Sequence, residues 1–278
     1  MPAPDSMTCD RLAKLIGTPR APIVLDVRRP ALRGSDPRLI ASARALDEAD
    51  LAPDALTGLA QGLTGQSVVV TCAAGHARSQ GVAAWLRQQG VQAEYLEGGH
   101  EAWVASGHLT HDPTAITARD GQGRSLWVTR SRPKIDRIAC PWLIRRFIDP
   151  RAVFLFVAPS EVLAVAEHFG AAPFDIEGVF WSHRDEGCTF DTILTEFGLS
   201  SPALKRLATI VRGADTARPD LAPECAGLLA ASLGLSRMYA DDLAQLDAGM
   251  SLYDAFYRWA RDATDETHNW PMSSGKQK

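Results

Sequence analysis

No run of apolar residues in this chain is long enough to cross a membrane. The longest, Ala152–Ala158, has seven residues, where a spanning helix needs about 20. The opening stretch, MPAPDSMTCDRLAKLIG, has no apolar core of the kind a secretory leader carries, so export is not expected. There is no CxxC pair, and the five cysteines (Cys9, Cys72, Cys140, Cys188 and Cys225) are scattered and odd in number. That pattern speaks against a disulfide framework and for a reduced, cytoplasmic protein. A cysteine that matters here is a nucleophile or a ligand rather than half of a bridge. Neither sign of charge dominates: 29 Lys+Arg stand against 33 Asp+Glu, for a net charge of −4. No internal repeat and no low-complexity tract is visible.

What is present is an ordinary globular composition, 46% hydrophobic and 22% charged, which excludes a mainly disordered chain. Its 278 residues give room for two cores. Charge is unevenly spread. Residues 1–110 sum to −1, residues 111–151 to +5 and residues 152–278 to −8.

The first 110 residues alternate between two periodicities. IVLDV at 23–27 and SVVVTC at 67–72 are short β-branched runs that predict buried strands. Residues 79–89 repeat apolar side chains at helical spacing up to Gly90. VQAEYLEGG alternates as a strand does and stops at Gly98-Gly99, and residues 101–106 predict a short helix. Strands alternating with helices imply a parallel α/β sheet. Residues 107–125 are rich in turn formers and are placed as the end of this unit and a linker, 111–125. Beyond it, strands are expected at 126–129 and 152–157, helices at 135–148 and 160–169, and an almost wholly helical pattern from Phe190 onward. The expected domains are therefore 1–110 and 126–278.

Cys72 ends a predicted strand and is followed by Ala73, Ala74, Gly75, His76 and Ala77, then Arg78, Ser79 and a helix. In a strand–Cys–tight loop–helix unit, loop N–H groups turn inward to form an anion nest. The helix N-terminus adds partial positive charge. Both favour a thiolate on Cys72. Arg78 is expected to fork onto a doubly charged oxyanion.

Three stretches now carry a family resemblance: Leu25-Asp26-Val27-Arg28, the loop from Cys72, and the run from Tyr95 through Gly98-Gly99 to Trp103. In this order and spacing, residues 1–110 resemble a rhodanese domain. The resemblance implies that Cys72 accepts a sulfane sulfur as a persulfide, held by the N–H groups of residues 73–78. One departure stands out. The loop reads C-x5-R, a residue longer than the usual sulfurtransferase loop, and Ala73 stands where a basic residue is usual. The longer ring resembles the dual-specificity phosphatase and arsenate reductase branch, which takes tetrahedral oxyanions. An inactive module, with Cys72 as a small buried residue, is the alternative. Asp26 and Arg28 are expected to brace the fold.

In the second half, Arg132 through Pro150 (RPKIDRIACPWLIRRFIDP), Ser182-His183-Arg184, Cys188-Thr189-Phe190-Asp191 and Val211 through Thr216 resemble the C-terminal domain of the chromate-resistance protein ChrB. The resemblance runs from about 126 to 263. Asp136, His183, Asp191 and Asp215 form a candidate set for a divalent metal (Mn, Fe or Zn), with Cys188 as a soft neighbour. Each carboxylate also has a structural reading, as a helix cap, a first-turn acid or a turn former.

The basic residues Arg137, Arg145 and Arg146 can pair with the acidic C-terminal helices or hold an oxyanion such as chromate. A nucleic-acid partner is not expected, for want of a reader motif. The overall expectation is thiolate chemistry at Cys72, with thiosulfate or chromate as the small partner, joined to a chromate-resistance domain. A non-catalytic oxyanion sensor is the alternative.

Overall fold

A computed structural model describes residues 5–267. Residues 1–4 and 268–278, the outer ends of the two expected domains, lie outside the described residues. The N-terminal half runs β1(Ser6–Met7), α1(Cys9–Leu15), β2(Ile23–Asp26), α2(Pro30–Ser35), β3(Leu39–Ile40), β4(Arg44–Ala45), α3(Pro53–Gly62), β5(Ser67–Thr71), α4(Ala77–Gln88), β6(Gln92–Leu96), α5(Gly99–Ala105) and β7(Thr110–His111). Five of its strands form one sheet in the order β1-β6-β5-β2-β4. Every pairing in that sheet is parallel.

β5 is its middle strand, and the consecutive Val68, Val69 and Val70 are all buried. A strand covered on both faces reads as a continuous apolar run rather than an alternating one. Because side chains alternate across a strand, the two faces feed different cores. Val68 and Val70 pack with Leu56 of α3 and Ala83 and Leu86 of α4. Val24 and Val69 turn to the opposite face, toward Leu12 and Trp103.

That opposite face is shared with the second half. The latter runs β8(Leu126–Arg130), α6(Asp136–Phe147), β9(Val153–Val157), α7(Val162–Phe169), β10(Ala172–Pro173), α8(Thr189–Glu196), α9(Pro202–Asp215), α10(Cys225–Met238) and α11(Asp242–Asp262). Its three-stranded sheet is parallel, in the order β10-β8-β9, and helices make up the rest. One apolar cluster extends from Leu12, Ile16 and Trp103 to Trp142, Phe147 and Tyr257 without interruption. Polar contacts cross the same junction. Ser42 N–H donates to Phe147 O at 2.7 Å. The Arg261 guanidinium reaches Ile16 O at 3.3 Å and Lys14 O at 3.2 Å.

The predicted strand and helix positions recur within a residue or two. In the turn-rich stretch 107–125, β7 pairs antiparallel with β3, Leu39 opposite His111. Among the described residues, no helix is long and apolar enough to cross a membrane.

Candidate functional site

Cys72 follows the central strand of the larger sheet, at its carboxyl end, where open parallel sheets bind ligands. The chain reverses through residues 73–76 and enters α4 at Ala77. Two glycines make the reversal possible. Gly75 lies at φ +72°, and a Cβ there would stand 2.6 Å from Leu96 O. Gly99 lies at φ +61°, and its Cβ would stand 2.4 Å from Cys72 O. The loop is thus seated directly on the start of α5. His100 N–H donates to Cys72 O and Glu101 N–H to Ala73 O, both at 2.9 Å. Tying these carbonyls outward leaves the loop's N–H groups for the sulfur.

Cys72 is 7% exposed, and its Sγ lies 3.2 Å from Ser79 Oγ. Burial opposes the thiolate. The Ser79 hydroxyl and the backbone N–H groups of Ser79, His76 and Gly75 outweigh it and bring the thiol below its ordinary 9.0. His76 is exposed at the rim, as is Ala77, and Ala73 and Ala74 line the loop half-buried. Arg78 does not face the sulfur. Its Nε donates to Val27 O, and its Nη2 lies 2.7 Å from Glu48 Oε1. The expected fork onto an oxyanion is replaced by a brace between α4 and the loop after β2. Asp26 and Arg28 brace the fold as well. Arg28 is 2% exposed, donates to Asp26 Oδ2 at 2.8 Å and ties down Asp36 O and Arg38 O.

A second constellation lies at the carboxyl end of the small parallel sheet. Asp136 is the first residue of α6 and is fully buried. Asp175 follows β10, His183 stands in the loop before α8, and Asp215 is the last residue of α9. His183 Nε2 lies 3.2 Å from Asp215 Oδ2, 3.3 Å from Asp175 Oδ1 and 3.6 Å from Asp136 Oδ2. One ligand atom from each of the four falls within 4.8 Å of all the others.

The start of α8 supports the group. Thr189 N–H donates to Asp136 Oδ2 at 2.6 Å, and Thr189 Oγ1 to Asp175 Oδ1 at 2.9 Å. Arg137 Nε stands 3.2 Å from Asp175 Oδ2, with Arg130 Nη2 at 3.6 Å. Burial, then the Asp215 and Asp175 carboxylates, push the Asp136 carboxyl up. Hydrogen bonds to Asp175 and Asp215 carry His183 up to about 10.

The backbone around the site is strained. Ile135 has φ +40° and Asp175 φ +52°, and a β-branched residue at positive φ is a genuine outlier. α11 holds the strained turn in place. Tyr253 Oη donates to Ile135 O at 3.0 Å, and Gln245 Nε2 to Pro133 O at 2.6 Å.

Three of the four sequence candidates for metal ligation therefore meet, and one does not. Asp191 is the N3 residue of α8. It accepts from Cys188 N–H at 2.9 Å and from Arg212 Nη1 at 2.9 Å. It caps its own helix and ties it to α9, which corrects the expectation that it joins the ligand set. Asp175 takes its place. Its one sequence signal is an acid set in the apolar run Pro173-Phe174-Asp175-Ile176, an expensive position to fill without a partner. Cys188 is buried with its thiol donating to Asp191 at 3.4 Å, and burial pushes that thiol up.

Of the basic candidates, Arg137 faces Asp175. Arg145 lies 3.4 Å from Asp247 and over the Phe154 ring. Arg146 grips Asp254 through two bonds of 2.8 and 2.7 Å, and Asp254 also accepts from Trp142 Nε1 at 2.8 Å. Arg145 and Arg146 are spent on α11, as the pairing alternative anticipates.

Residues 127–260 match the family model described as "ChrB, C-terminal domain", and residues 8–106 match "Rhodanese-like domain". Protein ChrB of Cupriavidus metallidurans is 33% identical over 168 residues, covering 58% of this chain and 47% of that protein. The chain thus spans about half the length of this relative.

Among solved structures, a rhodanese-related protein from Thermoplasma volcanium is 25% identical. That alignment covers 38% of this chain and 95% of that one, with a TM-score of 0.31. A thiosulfate sulfurtransferase from Pseudomonas aeruginosa is 28% identical, covering 40% of this chain and 20% of that one, with a TM-score of 0.33. The chain joins a rhodanese-like domain to a ChrB C-terminal domain.

Proposed function

We propose that this chain acts in chromate resistance through thiolate chemistry at Cys72, the rhodanese-like domain transferring sulfane sulfur beside its ChrB C-terminal partner. The observation that carries the reading is the cradle around Cys72. The sulfur is nearly buried, yet the Ser79 hydroxyl and three backbone N–H groups favour its anion. With thiosulfate as donor, the Cys72 thiolate attacks the sulfane sulfur. The S–S bond of thiosulfate breaks, and sulfite leaves with the bonding pair. The product is a Cys72 persulfide whose terminal sulfur carries the negative charge that the N–H groups neutralise. An acceptor such as cyanide attacks that outer sulfur, leaves as thiocyanate and regenerates the thiolate.

Arg78, held by Val27 O and Glu48, contributes by fixing the loop. The C-x5-R spacing sets the width of the ring, and a tetrahedral oxyanion, chromate included, remains the alternative occupant in this reading.

The test is thiosulfate-dependent persulfide formation, read by mass spectrometry, with thiocyanate production from added cyanide. Wild type is expected to gain one sulfur atom and turn over, while Cys72→Ser does neither. Equal activity in Cys72→Ser, or none in wild type, sinks the sulfur-transfer reading. In the second case chromate binding to the intact loop becomes the measurement that decides for the alternative.

A further inference from the structure

We infer that Asp136, Asp175, His183 and Asp215 form a centre for one divalent metal ion of the Mn2+, Fe2+ or Zn2+ class. The inference goes beyond the chemistry of Cys72 and does not depend on it. Four elements converge on one point: the start of α6, the turn after β10, the loop before α8 and the end of α9. A single imidazole nitrogen faces oxygens from three carboxylates at 3.2, 3.3 and 3.6 Å. One imidazole N–H is a small counterweight to three carboxylates, even with Thr189 donating to Asp136 and Asp175, whereas a cation set among the four donors meets all of them.

A second observation is independent of the clustering. Asp136 has no exposure, and its Oδ1 is buried with no hydrogen-bond partner. An orphaned oxygen on a buried carboxylate is costly unless something positive reaches it. Asp215 adds a third point. It ends α9, where the helix dipole disfavours a negative charge and favours a cation.

Charge and donor type narrow the occupant. A divalent ion offsets two of the three carboxylates, and Arg137, 3.2 Å from Asp175, offsets the third. Three oxygens and one imidazole nitrogen suit Mn2+, Fe2+ or Zn2+ and give a soft cuprous ion no thiolate. Cys188 is buried at the edge of the site, its thiol 3.4 Å from Asp191 Oδ2 and also in reach of Asp136. The site is not sealed, since the His183 side chain is 40% exposed against 0% for Asp136. An ion there has protein donors on its inner side and a solvent-facing position for water or a small ligand, the pattern of working rather than purely structural sites.

Mn2+ is the probe of choice, because hard oxygen donors hold it and the cysteines compete poorly. The full-length protein is stripped with a chelator and dialysed. It is then titrated with MnCl2 while free Mn2+ is read by electron paramagnetic resonance, and its thermal midpoint is followed alongside. One Mn2+ per wild-type chain is expected, with a rise in the midpoint as the ion is added. His183→Gln and Asp215→Asn, both at partly exposed side chains, should each weaken binding by at least about tenfold. Cys72→Ser should bind as wild type does, which separates this result from any failure of the sulfur-transfer reading. No Mn2+ bound by wild type at about 1 mM, well above the affinity a site of this kind needs, overturns the inference. Binding undiminished in both variants overturns it equally, since the ion is then held elsewhere.

Discussion

The groups that favour a thiolate on Cys72 are almost all main chain, and this decides which substitutions matter. Its thiol lies below the usual 9.0 although burial pushes the other way. The one side chain in the balance is Ser79, 3.2 Å away. Ser79 is itself buried, so Ser79→Ala removes a hydroxyl without opening a large cavity. For wild type, the rate of alkylation by iodoacetamide should rise with pH and reach half its plateau below 9.0. In Ser79→Ala that midpoint should move back up toward 9.0, with the loop still folded. An unchanged profile would assign the activation to the backbone alone. Arg78→Ala is a useful contrast. Its guanidinium binds Val27 O and Glu48 rather than the sulfur, so its profile should stay close to that of wild type.

Strands and helices place the chemistry, and they also explain what could be read before folding. The Val-rich β5, the glycine-bounded α4 and the Gly98-Gly99 stop are local signals, because period and turn chemistry reside in neighbouring residues. That is why the Cys72 loop was legible in the sequence. The second site was half legible. Asp136 and Asp215 announce themselves beside helix ends, but the grouping of Asp175 with them depends on β10 lying next to β8, a pairing that no local pattern encodes. Asp191 misleads for the opposite reason. An acid three residues after Cys188 is a helix-start signal, and the helix start is where it acts.

The short ladder β3–β7 carries a testable consequence of the same kind. His111, in β7, is 2% exposed, and its Nδ1 has no partner. Burial, helped by Arg119, lowers it from 6.5 to about 4, while the Ile40 backbone, Asp112 and Asp149 pull the other way. It stays neutral in the fold down to about pH 4, whereas the unfolded chain takes up a proton below about 6.5. The unfolded state therefore gains protons first as pH falls, and stability drops between pH 6.5 and 4 by roughly 3 kcal/mol. Urea midpoints at pH 7, 5 and 4 should show a steeper acid loss in wild type than in His111→Gln. Parallel losses would exclude His111 as the cause.

The two domains share one core, so they should behave as one folding unit despite their separate family origins. Phe147 sits at the junction. It is fully buried, packs edge-on to Tyr257 at 5.3 Å and to Trp142 at 5.6 Å, and its carbonyl accepts from Ser42 N–H across the boundary. Ile16 and Trp103 reach the same cluster from the first domain. Independent domains joined by a linker would show an interface more polar than a core and would melt separately. Here the apolar continuity predicts a single calorimetric transition for the full chain.

Phe147→Ala should lower stability by about 3–5 kcal/mol through lost burial and the cavity left behind. The loss should reach both halves. Hydrogen exchange should speed up in β5, beneath Cys72, as well as in α6, beside Asp136, because opening either domain exposes the shared face. Faster exchange confined to α6, with β5 protected as before, would mean that the rhodanese-like domain holds itself together and that the common core is only contact. If the coupling stands, the Cys72 loop and the carboxylate–imidazole centre sit on one cooperative body, and damage at either site is reported in the stability of the other.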